Sequence, residues 1–343
     1  MYPDNKSLVY QSTIDTLIKQ ADMPFIIQMQ TASQVQNQNG GHQSSRQSNE
    51  PGDSSHRNIG DSSGSNSQNN INHTQKVQQN TVQTFRKSDV FLEPFEPGIC
   101  IDDSLTKTHR LLFNKFPSRA YHILIVTKEK EKQGDLINIR DFEALLIPMK
   151  TLDGFVFYNS GQKSGASQNH KHIQVIPTKS LPNKKIPINQ RVMEEIKRQT
   201  SISSRHLNEE DHDSPRSIHE NLFILSEYQA FRHTFCRLDP LYYKNMTTEE
   251  SWKISSQYYL DAYKACLRKL DNQQGDLPYN FIMTPDWMFM VIRRKPQYEG
   301  ILCNSLGYLG LMYAKNEEQR DKLHELKPIE MLKELAAPMD AKR

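Results

Sequence analysis

His170, His172 and Gln174 stand at alternate positions in the run Asn169-His170-Lys171-His172-Ile173-Gln174-Val175-Ile176-Pro177. Residues two apart on a strand share a face, so two imidazoles and an amide project together while Lys171, Ile173 and Val175 turn the other way. Just upstream, Gly165-Ala166-Ser167-Gln168 forms a small-residue loop whose backbone N–H groups can approach an anion, with the Ser and Gln side chains as further donors. That pairing suits phosphate chemistry on an imidazole nucleophile. A histidine with an ordinary pKa of about 6.5 is mostly neutral at pH 7 and can attack phosphorus, provided its other ring nitrogen is held by an acceptor. Asn159, Ser167, Gln168 and Gln174 would then stabilise charge on the non-bridging oxygens in the transition state.

Two other readings compete at this stage. A His-x-His pair on a strand is also a common metal-ligand arrangement, and taken alone it leaves metal ligation and nucleophilic attack side by side. A third ligand would have to come from elsewhere, and Gln174 is a poor zinc ligand, so no metal is assigned. A purely structural histidine pair would leave the Gly-Ala-Ser loop without a purpose.

The elements that carry these residues follow from local pattern. Ser12 through Lys19 is predicted as a helix with Ile14, Leu17 and Ile18 on one side, ended by Pro24, and Phe25-Ile26-Ile27 begins a strand. Residues 31–84 are almost entirely Gln, Asn, Ser, Gly and His, a composition expected to form a disordered surface insertion because it cannot offset its ordering entropy by apolar burial. His109 to Phe116 and Tyr121 to Thr127 are β-rich runs around a Pro117-Ser118 turn signal, which predicts a hairpin. Asn138 to Leu152 has helical spacing of Phe142, Leu145, Leu146 and Met149. Strands are expected at Phe155 to Tyr158, His172 to Pro177, Tyr279 to Thr284 and Trp287 to Ile292, with helices from Thr248 to Leu270 and after Glu317. The sum is an α+β chain with antiparallel sheets and packed helices. Its expected organisation is an N-terminal helix and strand over 1–30, the insertion over 31–84, a catalytic domain over 85–198, a linker or long loop over 199–217 and a second domain over 218–343.

Bulk properties narrow the class. The 343 residues include 43 Lys+Arg and 40 Asp+Glu, a net charge of +3, which argues against a general nucleic-acid-coating protein but leaves room for a local phosphate pocket. The 36% hydrophobic share is low because of the polar tract; setting that aside leaves about 290 residues, enough for two domains or one large one. No apolar run reaches the roughly 18 residues needed to span a bilayer, and the N-terminus lacks a signal peptide's apolar segment. The expected setting is therefore cytoplasmic, with the nucleus also open to the chain, and no membrane partner. Cys100, Cys236, Cys266 and Cys303 are too widely separated for a metal knuckle and read as reduced thiols.

The motif set resembles a family. Asn-Ser-Gly, then Gly-Ala-Ser-Gln, then His-x-His-x-Gln is similar to the signature of diadenosine tetraphosphate phosphorylases, also called ATP adenylyltransferases, a branch of the histidine-triad and galactose-1-phosphate uridylyltransferase superfamily. Leu112-Phe113-Asn114-Lys115-Phe116, His122 to Thr127, Asp141 to Leu145, Phe231-Arg232-His233-Thr234-Phe235, Tyr279-Asn280-Phe281 and Trp287-Met288 follow in the family's order, so the resemblance covers roughly residues 89 to 313. It implies a histidine-triad-like nucleotidyltransferase fold. It also implies a two-step reaction in which His172 becomes an adenylyl-histidine with His170 in support and Gln174 on the α-phosphate. Asn114, Lys115, Asn159 and the loop Gly165, Ala166, Ser167 and Gln168 would contact nucleotide and phosphates, and Asn280, Thr284 and Arg294 would complete the pocket. The implied partners are a dinucleoside polyphosphate, ATP, ADP and phosphate, with no covalently bound cofactor and a divalent cation such as magnesium compatible with the chemistry. Members carry a basic nucleotide-contacting position after a segment like Met23-Pro24-Phe25-Ile26-Ile27; here the polar tract intervenes, and Lys76, Arg86 and Lys87 are its candidate replacements. The rivals are a nucleotide-binding sensor without turnover, a sugar-phosphate nucleotidyltransferase, which would show prolines where Lys171 and Ile173 stand, and a metalloprotein using the histidine pair.

Overall fold

The computed structural model describes residues 13–21, 23–30, 89–206 and 218–339. The polar tract and the three candidate cations Lys76, Arg86 and Lys87 lie outside the described residues.

The first described segment corrects the expectation of a helix. Thr13–Gln20 is a strand (β1) paired antiparallel with Met23–Gln30 (β2). Exposure alternates residue by residue from Asp15 to Gln20, the period of a strand, and the β-branched Thr16 and Ile18 fit a pleated surface better than a helix.

Nine strands form the central sheet: β3 (Cys100–Asp102), β4 (His109–Phe113), β5 (Ile123–Thr127), β6 (Gly154–Asn159), β7 (His172–Pro177), β8 (Leu222–Phe223), β9 (His233–Arg237), β10 (Tyr279–Met283) and β11 (Trp287–Ile292). Their spatial order is β3-β4-β5-β7-β6-β10-β11-β9-β8, with every neighbouring pair antiparallel. A short ribbon pairs β12 (Gln297–Tyr298) with β13 (Ile301–Leu302), and β14 (Leu311–Ala314) adds to β2 in parallel. The helices are α1 (Ile139–Leu152), α2 (Asn189–His206), α3 (Pro240–Lys244), α4 (Glu249–Lys269), α5 (Ser305–Tyr308), α6 (Glu317–Leu326) and α7 (Pro328–Leu335). Asn138 starts α1 through a capping box with Asp141, and Thr248 starts α4 through one with Ser251. Residues 199–206, expected in a loop, continue α2.

The central strands are buried on both faces, which is why they read as unbroken apolar runs. Val156, Tyr158, Ile173, Val175, Phe281 and Met290 pack against Phe142, Leu145, Tyr259 and Tyr263 of α1 and α4. Phe155, Phe157, Ile176, Ile282 and Phe289 face the opposite core, shared with Phe25 and Ile27 of β2 and Leu311 of β14. The expected boundary between two domains does not interrupt this sheet: β6 pairs with β10 from Asn159↔Asn280 to Val156↔Met283. The segments 89–198 and 218–339 are therefore two halves of one structural unit. All four cysteines are free thiols. Among the described residues, no helix is long and apolar enough to cross a membrane.

Candidate active site

His172 opens β7 in the middle of the sheet, opposite Val126 of β5. Its backbone N–H donates to Gln133 Oε1 at 2.8 Å, and Gln133 Nε2 donates to the carbonyls of His172 (3.2 Å) and Asn159 (2.9 Å). Gln133 thus clamps the ends of β6 and β7 that carry the site. The ring is held as nucleophilic chemistry requires. His172 Nδ1 lies 2.9 Å from the His170 carbonyl, which can only accept, so the proton sits on Nδ1 and the lone pair on Nε2. Among the described residues no group hydrogen-bonds that Nε2. Burial lowers the His172 pKa from its ordinary 6.5 to about 4; the His170 carbonyl opposes the shift and the His170 ring charge adds to it. The imidazole is neutral at pH 7.

Gln174 lies two residues on, on the same face. Its Oε1 accepts from His122 Nε2 at 2.9 Å, while His122 Nδ1 accepts from the Ser118 hydroxyl (3.1 Å) and the Ser118 N–H (3.3 Å). This chain fixes the His122 tautomer and reserves the Gln174 amide N–H groups as donors. Burial also takes the His122 pKa to about 4, against the hydrogen bond to Gln174 and with a contribution from His172. Asn114 reaches the same ring with Nδ2 at 3.3 Å and takes the Phe116 N–H on Oδ1 at 3.0 Å. Lys115 is half-exposed and paired with Glu96 at 2.6 Å.

His170 is hydrogen-bonded at both ring nitrogens. Nε2 is 2.8 Å from the Thr127 carbonyl and 3.0 Å from the Thr127 hydroxyl, and Nδ1 is 3.1 Å from Asp89 Oδ2. Those bonds leave it no lone pair for a metal, and among the described residues no three His, Cys, Asp or Glu side chains are placed to hold one. Phe91 packs its ring on both imidazoles, with centroids 5.0 Å from His172 and 6.0 Å from His170.

The loop from β6 to β7 turns tightly through a 3-10 segment, Gln162–Ser164. Gly165 has φ +88°, and a Cβ there would lie 2.8 Å from the Cys303 carbonyl, so the position admits only glycine without strain. The N–H groups of Gly165 and Ala166 are consumed by the turn, bonding Gln162 and Gly161 carbonyls at 2.9 and 3.3 Å. Ser167 and Gln168 make no hydrogen bond, by backbone or side chain, among the described residues. The donors expected of the whole loop therefore narrow to these two.

Asn159 and Asn280 meet across β6 and β10. Asn159 Oδ1 accepts from Asn280 Nδ2 (2.8 Å), the Ser305 N–H (3.0 Å) and the Ser305 hydroxyl (2.7 Å). Asn280 Nδ2 also donates to the Ser164 carbonyl at 2.9 Å, and its Oδ1 accepts from the buried guanidinium of Arg293. Both polar atoms of the Asn280 side chain are thus engaged in fixing the loop, and Arg293, overlooked in the sequence, is the cation at its root. The neighbouring Arg294 is exposed. Thr284 sits in the β10–β11 turn, where its hydroxyl caps the N–H groups of Asp286 and Trp287. It lies four residues along the strand from Asn280, about 13 Å, and is not brought into the His172 cluster.

On the other face of the His170-His172 segment, Lys171 Nζ is buried among Asp141 Oδ2 (2.6 Å), Glu131 Oε2 (3.0 Å) and the Leu136 carbonyl (3.0 Å). Asp141 Oδ1 bonds His109 Nε2 at 2.9 Å. Burial pushes the Asp141 carboxyl up, but His109 and Lys171 outweigh it and hold it below the usual carboxylate range.

Comparisons with known proteins fit this geometry. Residues 65–194 match the model of the Ap4A phosphorylase N-terminal domain and residues 228–338 that of the ATP adenylyltransferase C-terminal domain. The first match begins within the polar tract. Two Saccharomyces cerevisiae proteins are similar in sequence. Protein APA1 is 27% identical over 233 residues, 64% of this chain and 65% of its own length. Diadenosine 5',5'''-P1,P4-tetraphosphate phosphorylase 2 is 26% identical over 270 residues, 73% of this chain and 76% of its own length. The crystal structure of yeast Ap4A phosphorylase Apa2 in complex with Ap4A shares the fold, with a TM-score of 0.61 at 19% identity over 97% of this chain and 92% of that one. The AMP complex of the same enzyme gives a TM-score of 0.60 at 18% identity, covering 98% and 93%. With both domain models matched in order around one shared sheet, the chain belongs to the Ap4A phosphorylase and ATP adenylyltransferase family, a family of nucleotidyltransferases.

Proposed function

We propose that the protein catalyses reversible phosphorolysis of diadenosine tetraphosphate to ATP and ADP through an adenylyl group carried on His172. The carrying observation is the state of His172: neutral, with Nδ1 tied to the His170 carbonyl and Nε2 left unbonded. In the first step Nε2 attacks an α-phosphorus, a P–N bond forms, and the bridging P–O bond breaks with its electron pair leaving on ATP. In the second step an oxygen of inorganic phosphate attacks the same phosphorus, the P–N bond breaks, and ADP departs. Dividing the transfer in two replaces one hard displacement by two easier ones, and the reactive phosphoramidate keeps the sequence reversible.

The free amide N–H groups of Gln174, together with Ser167 and Gln168, supply neutral donors for the equatorial oxygens, whose charge rises in the transition state. Asn114, bonded to the His122 ring, and its neighbour Lys115 serve the nucleotide. Asn159 and Asn280 act by holding the loop. A divalent cation such as magnesium is compatible with this polyphosphate chemistry, and the assay below is run with and without it.

The test is incubation with diadenosine tetraphosphate, with and without phosphate, for the parent and for His172→Ala. ATP plus ADP appearing only with phosphate, and only in the parent, supports the reading. Phosphate-independent hydrolysis, or near-normal turnover by His172→Ala, refutes it.

A further inference from the structure

The strand reading places His170 beside the nucleophile but gives it no task, and the structure shows a group that acts on it. Asp89, the first described residue after the polar tract, sets Oδ2 3.1 Å from His170 Nδ1. The opposite nitrogen, Nε2, faces the Thr127 carbonyl at 2.8 Å, and a carbonyl can only accept. The Thr127 hydroxyl stands 3.0 Å from the same Nε2, so the ring is held at both nitrogens, between Asp89 on one side and Thr127 on the other.

We propose that Asp89 is a positioning residue for the adenylyl transfer: it pins the His170 ring against Thr127, and His170 in turn fixes the ring of His172. This rests on the reading of His172 as nucleophile. Pinning the His170 ring at both ends fixes its backbone carbonyl, the acceptor that orients His172 Nδ1 at 2.9 Å. Asp89 is suited to the role. Burial raises its pKa, but the Phe91 N–H, the His170 charge and Lys130 more than offset this and keep it ionised. The titratable groups around the pair are Lys130, 3.3 Å from Asp89 Oδ2, the neutral His172 on the same face, and the Lys171, Glu131 and Asp141 set on the other face.

The experiment compares parent, Asp89→Asn, Asp89→Glu and His172→Ala in steady-state phosphorolysis of diadenosine tetraphosphate at saturating phosphate, read as ATP and ADP formed. In parallel, the His172 ring nitrogens are read by 15N NMR, which tells whether the proton stays on Nδ1. Asn keeps the size and a hydrogen bond but removes the charge, so kcat is expected to fall about 10–100-fold, the range for losing a partner that orients a histidine. KM should stay within about twofold because Asp89 does not meet the nucleotide, and the single Nδ1-protonated signature of His172 should give way to a mixture of tautomers. Asp89→Glu should recover part of both activity and signature. Asp89→Asn with parental kcat and an unchanged His172 signature overturns the inference. So does lost activity with the His172 signature intact and no recovery in Asp89→Glu, which would make Asp89 merely part of the fold. An active His172→Ala would instead overturn the nucleophile assignment, and this inference with it.

Discussion

The neutral state of His172 predicts an acid limb far below that of an ordinary histidine. Lowering its pKa from 6.5 to about 4 corresponds to roughly 3 kcal/mol against the imidazolium, at about 1.4 kcal/mol per pH unit. At pH 5 such a ring is about 90% neutral, whereas a histidine at 6.5 would be about 3% neutral, a thirtyfold difference in competent enzyme. The assay is the first half-reaction without phosphate, because inorganic phosphate titrates near neutrality while the four phosphates of diadenosine tetraphosphate are all internal and have no ionisation there. Phe91→Ala is the informative perturbation. The Phe91 ring stands 5.0 Å from the His172 ring and closes one side of it to water. Admitting water there should return about one of the pH units that burial removed, bringing the variant to about half-neutral at pH 5, while leaving the plateau above pH 7 on the same protonation state. An acid limb near 6.5 in the parent, or an unmoved limb in Phe91→Ala, would refute the reasoning.

Three further outcomes follow from the same geometry. Gln174→Glu replaces N–H donors with acceptors facing the phosphate and should cut kcat/KM by about 10²–10³; His122→Ala, which only unpins the amide, should cost less, and reversal of that order in steady-state kinetics would contradict the assigned roles. Lys171→Met strands the Asp141 and Glu131 carboxylates behind the active strand and should destabilise the fold by about 3–5 kcal/mol in urea unfolding, whereas a loss under 1 kcal/mol would show the network to be dispensable. His122, His172 and His233 all have folded-state values depressed to about 4, so the unfolded chain binds their protons more readily. Stability from these three should be complete above pH 6.5 and be lost as pH falls toward 4, by up to roughly 3 kcal/mol each, and an acid-unfolding curve flat across that window would be inconsistent with their burial.

Period-two alternation made one face of the site readable: it placed His170, His172 and Gln174 together because a strand leaves no other choice. The same logic could not find His122, Gln133, Asp89 or Arg293, which come from segments separated by tens of residues and converge only through strand pairing. The nearest signal for His122 was its place at the head of an apolar strand run, which says nothing about the direction of its ring. The loop was legible as small and glycine-rich, but the spending of the Gly165 and Ala166 N–H groups on a turn depends on backbone dihedrals that composition does not fix. Thr13–Gln20 was misread because apolar residues at Ile14, Leu17 and Ile18 fit one helical face as well as they fit a short strand; the non-local partner β2 decides the matter. The division near residue 200 reflects a drop in apolar content and falls between the two matched domain models, while strand pairing joins the two parts in one sheet.

That crossing between β6 and β10 means the catalytic unit can be cut but not halved. A break in the chain after α2 would yield one fragment bearing His172 and another bearing Asn280, Arg293 and Ser305, each with a sheet edge, β6 or β10, whose two faces are built for burial and which has lost its partner. Alone, each is an adhesive surface; together, they have a single register that satisfies both edges. Turnover by a mixture of the two pieces would then rise with the concentration of either one, making the enzyme its own reporter of the encounter.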